Sequence, residues 1–371
     1  MKCEIEFLPV GTGSKPGDAI VIRYGEPHAY ELMIVDGGTL DSGEALVNHI
    51  QTFFPGHGVS HVVLTHPDAD HASGLRTVLE QLHVSNLWLH VPWLHAAATR
   101  PYFQNKNWTD ERLSAAIRKE YDIVGSIFDT ASARGLRIFE PFAGAAIGPF
   151  TVLSPHRAIY DLLLPQFDRT PAPDQPAIEA RGCWLQKQQP PSPLGALFER
   201  AVAKVQKWVP ESWTAERLRD GGMTSASNES SVVRYGAFEH GRVLLTGDAG
   251  IWALSLAAHH AEQNELTLQQ FDFVQVPHHG SRRNVGPTIL NRLIGPIQPQ
   301  GAGRRFNAFI SAPRDDDTHP RKMVVNAFMR RGASVVATQG SKKIYYGGFP
   351  QRASYSDAPT LDFASQVEEY D

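Results

Sequence analysis

Three short β-rich runs in this chain of 371 residues each stop against a group of histidines and aspartates, and that repetition limits the fold more than any other feature. HVVLT (61–65) runs into His66-Pro67-Asp68-Ala69-Asp70-His71, RVLLTG (242–247) into Asp248, and FDFVQVP (271–277) into His278-His279-Gly280-Ser281. A short apolar run with polar punctuation reads as a buried strand. Three strands that end this way place their polar groups together only if the ends share a sheet edge. In an extended loop side chains alternate, so His66, Asp68 and Asp70 converge while His71 turns in as a helix begins. Neighbouring residues are held apart by the backbone, so one ion cannot use all four, whereas two adjacent ions can. Asp248, flanked by Gly247 and Gly250, is placed to bridge such ions, which two-metal sites hold about 3.5–4 Å apart.

The rest of the chain supplies the matching elements. EIEFLPV, AIVIRY and YELMIVDGG open it as paired strands, and LWLHV (87–91) reads as another. Residues 109–133 carry a helical apolar stripe stopped by Gly135, which predicts one long helix. Residues 156–226 read as an insertion: seven prolines between 165 and 193, then one amphipathic helix over 194–208. Beyond it, strand-like SSVVRYGAF, RVLLTG, FDFVQVP, FNAFISA and SVVATQ alternate with helix-compatible stretches. Strands at both ends with helices after them predict an α/β domain of two mixed sheets packed face to face and covered by helices. One domain is expected over 1–371, with a peripheral tail at 350–371. Cys3 and Cys183 are the only cysteines, which argues against a disulfide framework or a Cys-rich zinc site. With no 18-residue apolar run and no basic or apolar leader, no membrane contact and a cytoplasmic location are expected.

The order HxDxDH, GD, HHGS resembles the metallo-β-lactamase superfamily, in the branch related to the soluble hydrolase domain of ComEC/Rec2 competence proteins. Gly17-Asp18-Ala19, Val35-Asp36-Gly37-Gly38, Asn228-Glu229-Ser230-Ser231 and Thr318-His319-Pro320 resemble further elements of that branch, and the likeness covers most of the chain. It implies a four-layer αββα sandwich and two divalent ions. His66 and Asp68 would bind the first, Asp70, His71 and His279 the second, and Asp248 both. Asp68 stands where the commoner pattern has His; an oxygen donor hardens the first site and brings Mn²⁺ in beside Zn²⁺. The further histidine that the superfamily usually supplies has one candidate here, His156. The implied chemistry is hydrolysis by a hydroxide held between the ions, with Asp70, His278 and His319 as catalytic residues, the two histidines giving a proton to the leaving group.

Charge narrows the substrate. The net charge of −4 gives no general attraction to nucleic acid, yet residues 277–345 hold twelve Lys and Arg against three Asp. Arg282-Arg283, directly after HHGS, is placed to clamp a phosphodiester together with Ser281, whereas the doublets Arg330-Arg331 and Lys342-Lys343 read as solvated faces. The leading expectation is therefore a phosphodiesterase acting on DNA or RNA. A hydrolase of a small ester, lactone or lactam, with a pocket lined by Trp88, Trp93 and Trp108, is the alternative, and core packing is the preferred role for those tryptophans. A non-catalytic assembly subunit that keeps its metals stands third.

Overall fold

The computed structural model describes residues 1–12, 16–185, 207–352 and 355–370. Sixteen strands lie among them: β1 (Lys2–Phe7), β2 (Ile20–Glu26), β3 (Ala29–Val35), β4 (Val59–Val63), β5 (Val84–Trp88), β6 (Arg137–Phe139), β7 (Ala146–Ile147), β8 (Phe150–Ser154), β9 (Trp208–Pro210), β10 (Val233–Phe238), β11 (Gly241–Leu245), β12 (Phe273–Gln275), β13 (Phe306–Ile310), β14 (Ala333–Ala337), β15 (Lys343–Tyr345) and β16 (Gln366–Glu368). Two seven-stranded sheets run in the orders β15-β1-β2-β3-β4-β5-β6 and β7-β8-β10-β11-β12-β13-β14. Each begins with three antiparallel pairings and continues with three parallel ones. The expected α/β fold with two mixed sheets is thus observed.

Strand periodicity explains the layering. On β2, Ile20 and Ile22 pack between the sheets with Phe7, Met33, Val63, Phe273 and Phe309, while Val21 faces the other way into a helical layer. Both faces of the sheets are covered, so the strands read as nearly unbroken apolar runs. Helices Leu40–Phe53, Leu75–Gln81, Asp110–Glu120 and Asp122–Ala133 cover the first sheet. Ile251–Gln263, Pro287–Ile294 and Lys322–Arg330 cover the second.

Three expectations need correction. The strand expected at 87–91 lies at Val84–Trp88. The single helix over 109–133 is two, broken at Tyr121 (φ −104°, ψ 48°). The first packs on the turn Pro92–His95 and the second on Leu75–Gln81 and β6, two neighbours that one straight rod would not reach. The tail expected to be peripheral docks instead: β16 pairs with β9, Val367 is wholly buried, and the Glu368 carboxylate accepts from the Lys322 and Met323 amides (2.9 and 3.4 Å). Of the proposed insertion, Arg157–Leu163 and Gln175–Glu179 are helical, and the helix expected at 194–208 lies for the most part outside the described residues.

The first helical layer also contains a polar knot. His95 bonds Asp161 Oδ1 through Nδ1 (2.6 Å) and Glu140 Oε1 through Nε2 (2.8 Å). Burial disfavours its charge, but the two carboxylates outweigh that and raise its pKa to about 9.

Candidate metal centre

Loops after the C-terminal ends of β3, β4, β11 and β12 meet where the edges of the two sheets face each other, the place where open α/β sheets put their ligands. β3 stops at Asp36, whose φ of 57° turns its carboxylate back towards β4. Its Oδ1 accepts from Thr65 N (2.7 Å), and its Oδ2 accepts from Thr65 Oγ1 (2.7 Å) and His71 Nδ1 (2.9 Å). The Thr65 hydroxyl gives its proton to Asp36, so it accepts from His66 Nδ1 at 3.1 Å. Close approach fixes the loop from behind: a Cβ on Gly17 would lie 2.2 Å from the Asp70 carbonyl oxygen, so only glycine allows that contact.

The second sheet contributes Asp248 after β11 and two histidines after β12. His278 (φ 46°) and His279 (φ 56°) are both left-handed, which costs about 1–2 kcal/mol at each non-glycine residue. His279 Nδ1 donates to the Ser311 carbonyl (3.0 Å). The Asn284 amide is oriented by donating to the carbonyls of Asp248 (2.8 Å) and Ala249 (3.4 Å), so its Oδ1 accepts from His278 Nδ1 at 2.8 Å.

Each of the four imidazoles therefore has an acceptor that fixes a proton on Nδ1, and each turns its Nε2 towards Asp248 Oδ2, at 3.9 Å from His66, 3.4 Å from His71 and 3.6 Å from both His278 and His279. Asp68 Oδ2 lies 3.5 Å from His66 Nε2, and Asp70 Oδ2 4.0 Å from His71 Nε2. The Nε2 atoms of His66, His71 and His279 and the Oδ1 of Asp248 are buried without a hydrogen-bond partner. An orphaned buried polar atom costs about 1–3 kcal/mol, and this many facing one another calls for a cation between them. The ligand atoms of His66, His71 and Asp248, and those of Asp70, His71 and His279, each lie within 4.8 Å of one another, so the residues fit divalent metal. Asp68 and Asp70 have side chains 38% and 37% exposed, and the centre opens to solvent on their side.

The electrostatics agree with that fit. Burial would raise the Asp248 carboxyl, but the imidazoles of His71, His278 and His279 hold it well below the usual range. Burial pushes His279 down to about 3 and so keeps it neutral. His71 is buried too, yet Asp248 and Asp36 on either side hold its proton well above the ordinary imidazole range. A proton and a divalent cation therefore compete for its Nε2. Behind the ligands, burial pushes Asp18 up to about 7, with Asp248 and Asp36 adding to the rise, and pulls the wholly buried Arg234 down to about 10 against the pull of Asp36 and Asp18.

The structure brings together His66, Asp68, Asp70, His71, Asp248, His278 and His279, and sets His319 beside them, its ring 6.3 Å from that of His278. It does not bring in His156, which is exposed and faces His260 (Nε2 to Nδ1, 3.2 Å) at the start of Arg157–Leu163. Two of the three residues expected to contact phosphate, Arg282 and Ser281, are engaged within the chain. Arg282 donates to the Glu369 carbonyl (2.7 Å) and lies over the Tyr370 ring (4.7 Å), tying down the C-terminal segment, while Arg283 is exposed and the Ser281 hydroxyl accepts from its amide (3.3 Å). The basic doublet at 330–331 is no solvated face either: Arg330 pairs with Glu211 (3.0 Å) and Arg331 with Glu216 (2.8 Å), both arginines wholly buried. Guanidinium donors here satisfy carboxylates and carbonyls inside the protein. The tryptophans pack as core: Trp93 meets Phe128 edge-on, Trp88 stacks on Phe139, and Trp108 lies against the same apolar cluster as Trp93.

Sequence reasoning missed three supporting groups. Asp36 was visible only as part of a motif, Asn284 carried no signal, and Asp316, read as one acid in a run of three, accepts from His319 Nδ1 at 3.1 Å. The spacing Asp316-x-Thr318, with Asp316 Oδ1 accepting from Thr318 N (2.7 Å), is an Asx-turn pattern that the sequence did display.

Comparison with known proteins places these observations in context. The family model of the metallo-beta-lactamase superfamily matches residues 13–141, about a third of the chain, and supports membership of that superfamily, whose members are typically metal-dependent hydrolases that use divalent metals. No curated protein matches the sequence. Among solved structures, the metallo-beta-lactamase fold protein YhfI from Bacillus subtilis is similar at 9% identity and a TM-score of 0.40, over 94% of this chain and 100% of that one. Tm1679, titled a metal-dependent hydrolase of the beta-lactamase superfamily, is similar at 12% and 0.40 over 92% and 98%. A long form RNase Z from yeast is similar at 10% and 0.31 over 98% and 40%. Likenesses this remote assign no substrate.

Proposed function

We propose that this chain, whose superfamily membership is supported over residues 13–141, is a binuclear metal-dependent phosphodiesterase that acts on polynucleotide. The observation that carries the reading is the convergence of four imidazole Nε2 atoms on the Asp248 carboxylate, those of His66, His71 and His279 buried without a hydrogen-bond partner. His66 and Asp68 would hold one ion, Asp70, His71 and His279 the other, and Asp248 would serve both. Mixed nitrogen and oxygen donors suit Zn²⁺ or Mn²⁺. When bound, such ions supply Lewis acidity that lowers the pKa of water and screens charge developing on a phosphoryl group.

The chain's own residues supply the rest. Asp36 and the Ser311 carbonyl hold His71 and His279 in ligating orientation, and the Asp36-bonded Thr65 hydroxyl does the same for His66. His319 keeps its Nδ1 proton on Asp316, so its Nε2 is the atom that carries a proton to the departing oxygen. Polynucleotide is preferred to a small ester on two grounds: the centre opens to solvent past Asp68 and Asp70, and the HxDxDH, GD and HHGS motifs resemble the hydrolase domain of competence proteins.

The test is turnover of a chromogenic phosphodiester, of DNA and RNA, and of a lactone and a carboxyl ester by protein reconstituted with Zn²⁺ or Mn²⁺. Phosphodiester and polynucleotide cleavage is expected, with polynucleotide binding weakening steeply with salt. Asp248→Ala is expected to lower turnover by roughly a thousandfold or more, the several kcal/mol that metal stabilisation supplies. Efficient lactone or ester turnover with no phosphodiester cleavage would overturn the substrate assignment.

A further inference from the structure

We infer that His278 is a metal ligand and not a proton donor, and that it completes the first ion's set with His66, Asp68 and Asp248. The inference rests on the metal centre proposed above and extends it to a residue that no motif assignment gave that role.

Three observations carry it. The Asn284 amide cannot turn over, because its Nδ2 donates to the carbonyls of Asp248 and Ala249; its oxygen therefore takes the Nδ1 proton of His278 and leaves the Nε2 lone pair facing Asp248 Oδ2 at 3.6 Å. An imidazole whose Nε2 lone pair faces a carboxylate is repelled unless a cation lies between. Next, the backbone at His278 and His279 is left-handed at both residues, an arrangement that brings two adjacent rings to one carboxylate when ordinary strand geometry would send them to opposite sides. Last, one short loop lies against both residues: Ser227 Oγ donates to Asp68 Oδ2 (3.3 Å), and the side chain of the next residue, Asn228, whose NH₂ donates to Thr224 Oγ1 (2.8 Å), lies beside the His278 ring. Adjacent residues of one loop thus hold Asp68 and the His278 ring. The histidine that the sequence lacked for the first ion, sought at His156, is the residue next to the second ion's ligand. Each ion then has two imidazoles and its own carboxylate, and shares Asp248.

The experiment measures metal and not turnover. Chelator-stripped protein is titrated with Zn²⁺ and with Mn²⁺, with bound metal counted by elemental analysis, and nitrogen NMR of isotope-labelled histidine is recorded on the wild type. The wild type is expected to take two ions per chain, with the His278 Nε2 resonance moving as the first site fills. His278→Ala is expected to keep one ion at wild-type affinity and bind the other ~100-fold or more weakly, since loss even of groups behind the ligands costs 10–100-fold. His319→Ala is expected to keep both. Should His278→Ala fail to fold, the wild-type resonance decides alone. A His278 resonance that does not move, or two ions held by His278→Ala at unchanged affinity, would overturn the inference while leaving the phosphodiesterase reading intact. Wild-type protein that takes no metal would overturn both.

Discussion

Asp36 touches no substrate, yet it fixes two of the four imidazoles, His71 directly and His66 through Thr65. In Asp36→Asn an amide NH₂ can face His71 Nδ1, which moves the imidazole proton to Nε2 and blocks ligation. Metal affinity is expected to fall 10–100-fold with the fold intact, as titration of stripped protein would show; an unchanged affinity would mean that the tautomer is set elsewhere. This is also the scale at which the sequence was most and least informative. The proposed ligands were readable because His66 to His71 lie within six residues, and neighbours in sequence must be neighbours in space. Asn284, Ser311 and Asp316 act through contacts that the tertiary fold creates. His278 was readable as a site residue, but the ligand role proposed for it was not, because nothing in HHGS says which nitrogen carries the proton.

The elements were legible where periodicity alone decides them and obscure where a neighbour does. Strands β2, β3, β4, β12 and β13 fall where their apolar runs end in glycine, proline or a ligand. The break at Tyr121 was hidden, since the apolar stripe runs through it and only the choice of packing partner bends the helix. The C-terminal strand was hidden for a similar reason: a polar tail reads as loose until Glu368 is seen against the Lys322 and Met323 amides. That contact is a helix cap made from a distant part of the chain. Glu368→Ala is expected to destabilise the protein by about 1 kcal/mol in denaturant unfolding, the usual worth of an N-terminal cap, with metal content unchanged. A loss of bound metal in this variant would instead show that the tail supports the HHGS loop through Arg282, whose guanidinium holds the Glu369 carbonyl.

For the molecule as a whole, stability has a pH dependence with a definite sign. The His95 pKa is raised to about 9 in the folded protein by Asp161 and Glu140, against an ordinary value of 6.5, so the stability it contributes is fully present below about pH 6.5 and is lost as pH rises through 9. The unfolding free energy is expected to fall by up to about 3 kcal/mol across that window, and His95→Gln to flatten the slope. The alternation of apolar runs foretold two mixed sheets, but not how evenly the work is divided between them. Residues 66–71 come from the first sheet, and Asp248, His278 and His279 from the second, with the segment 156–226 between the two groups. Neither half owns a complete set of the proposed ligands, so on that proposal metal occupancy would report the integrity of both halves. Free metal at 100-fold excess over its dissociation constant adds about 2.7 kcal/mol per ion to both halves at once. Loaded protein is expected to melt in a single step at a temperature that climbs with metal concentration, and one sheet melting first with both ions still bound would contradict the shared cage.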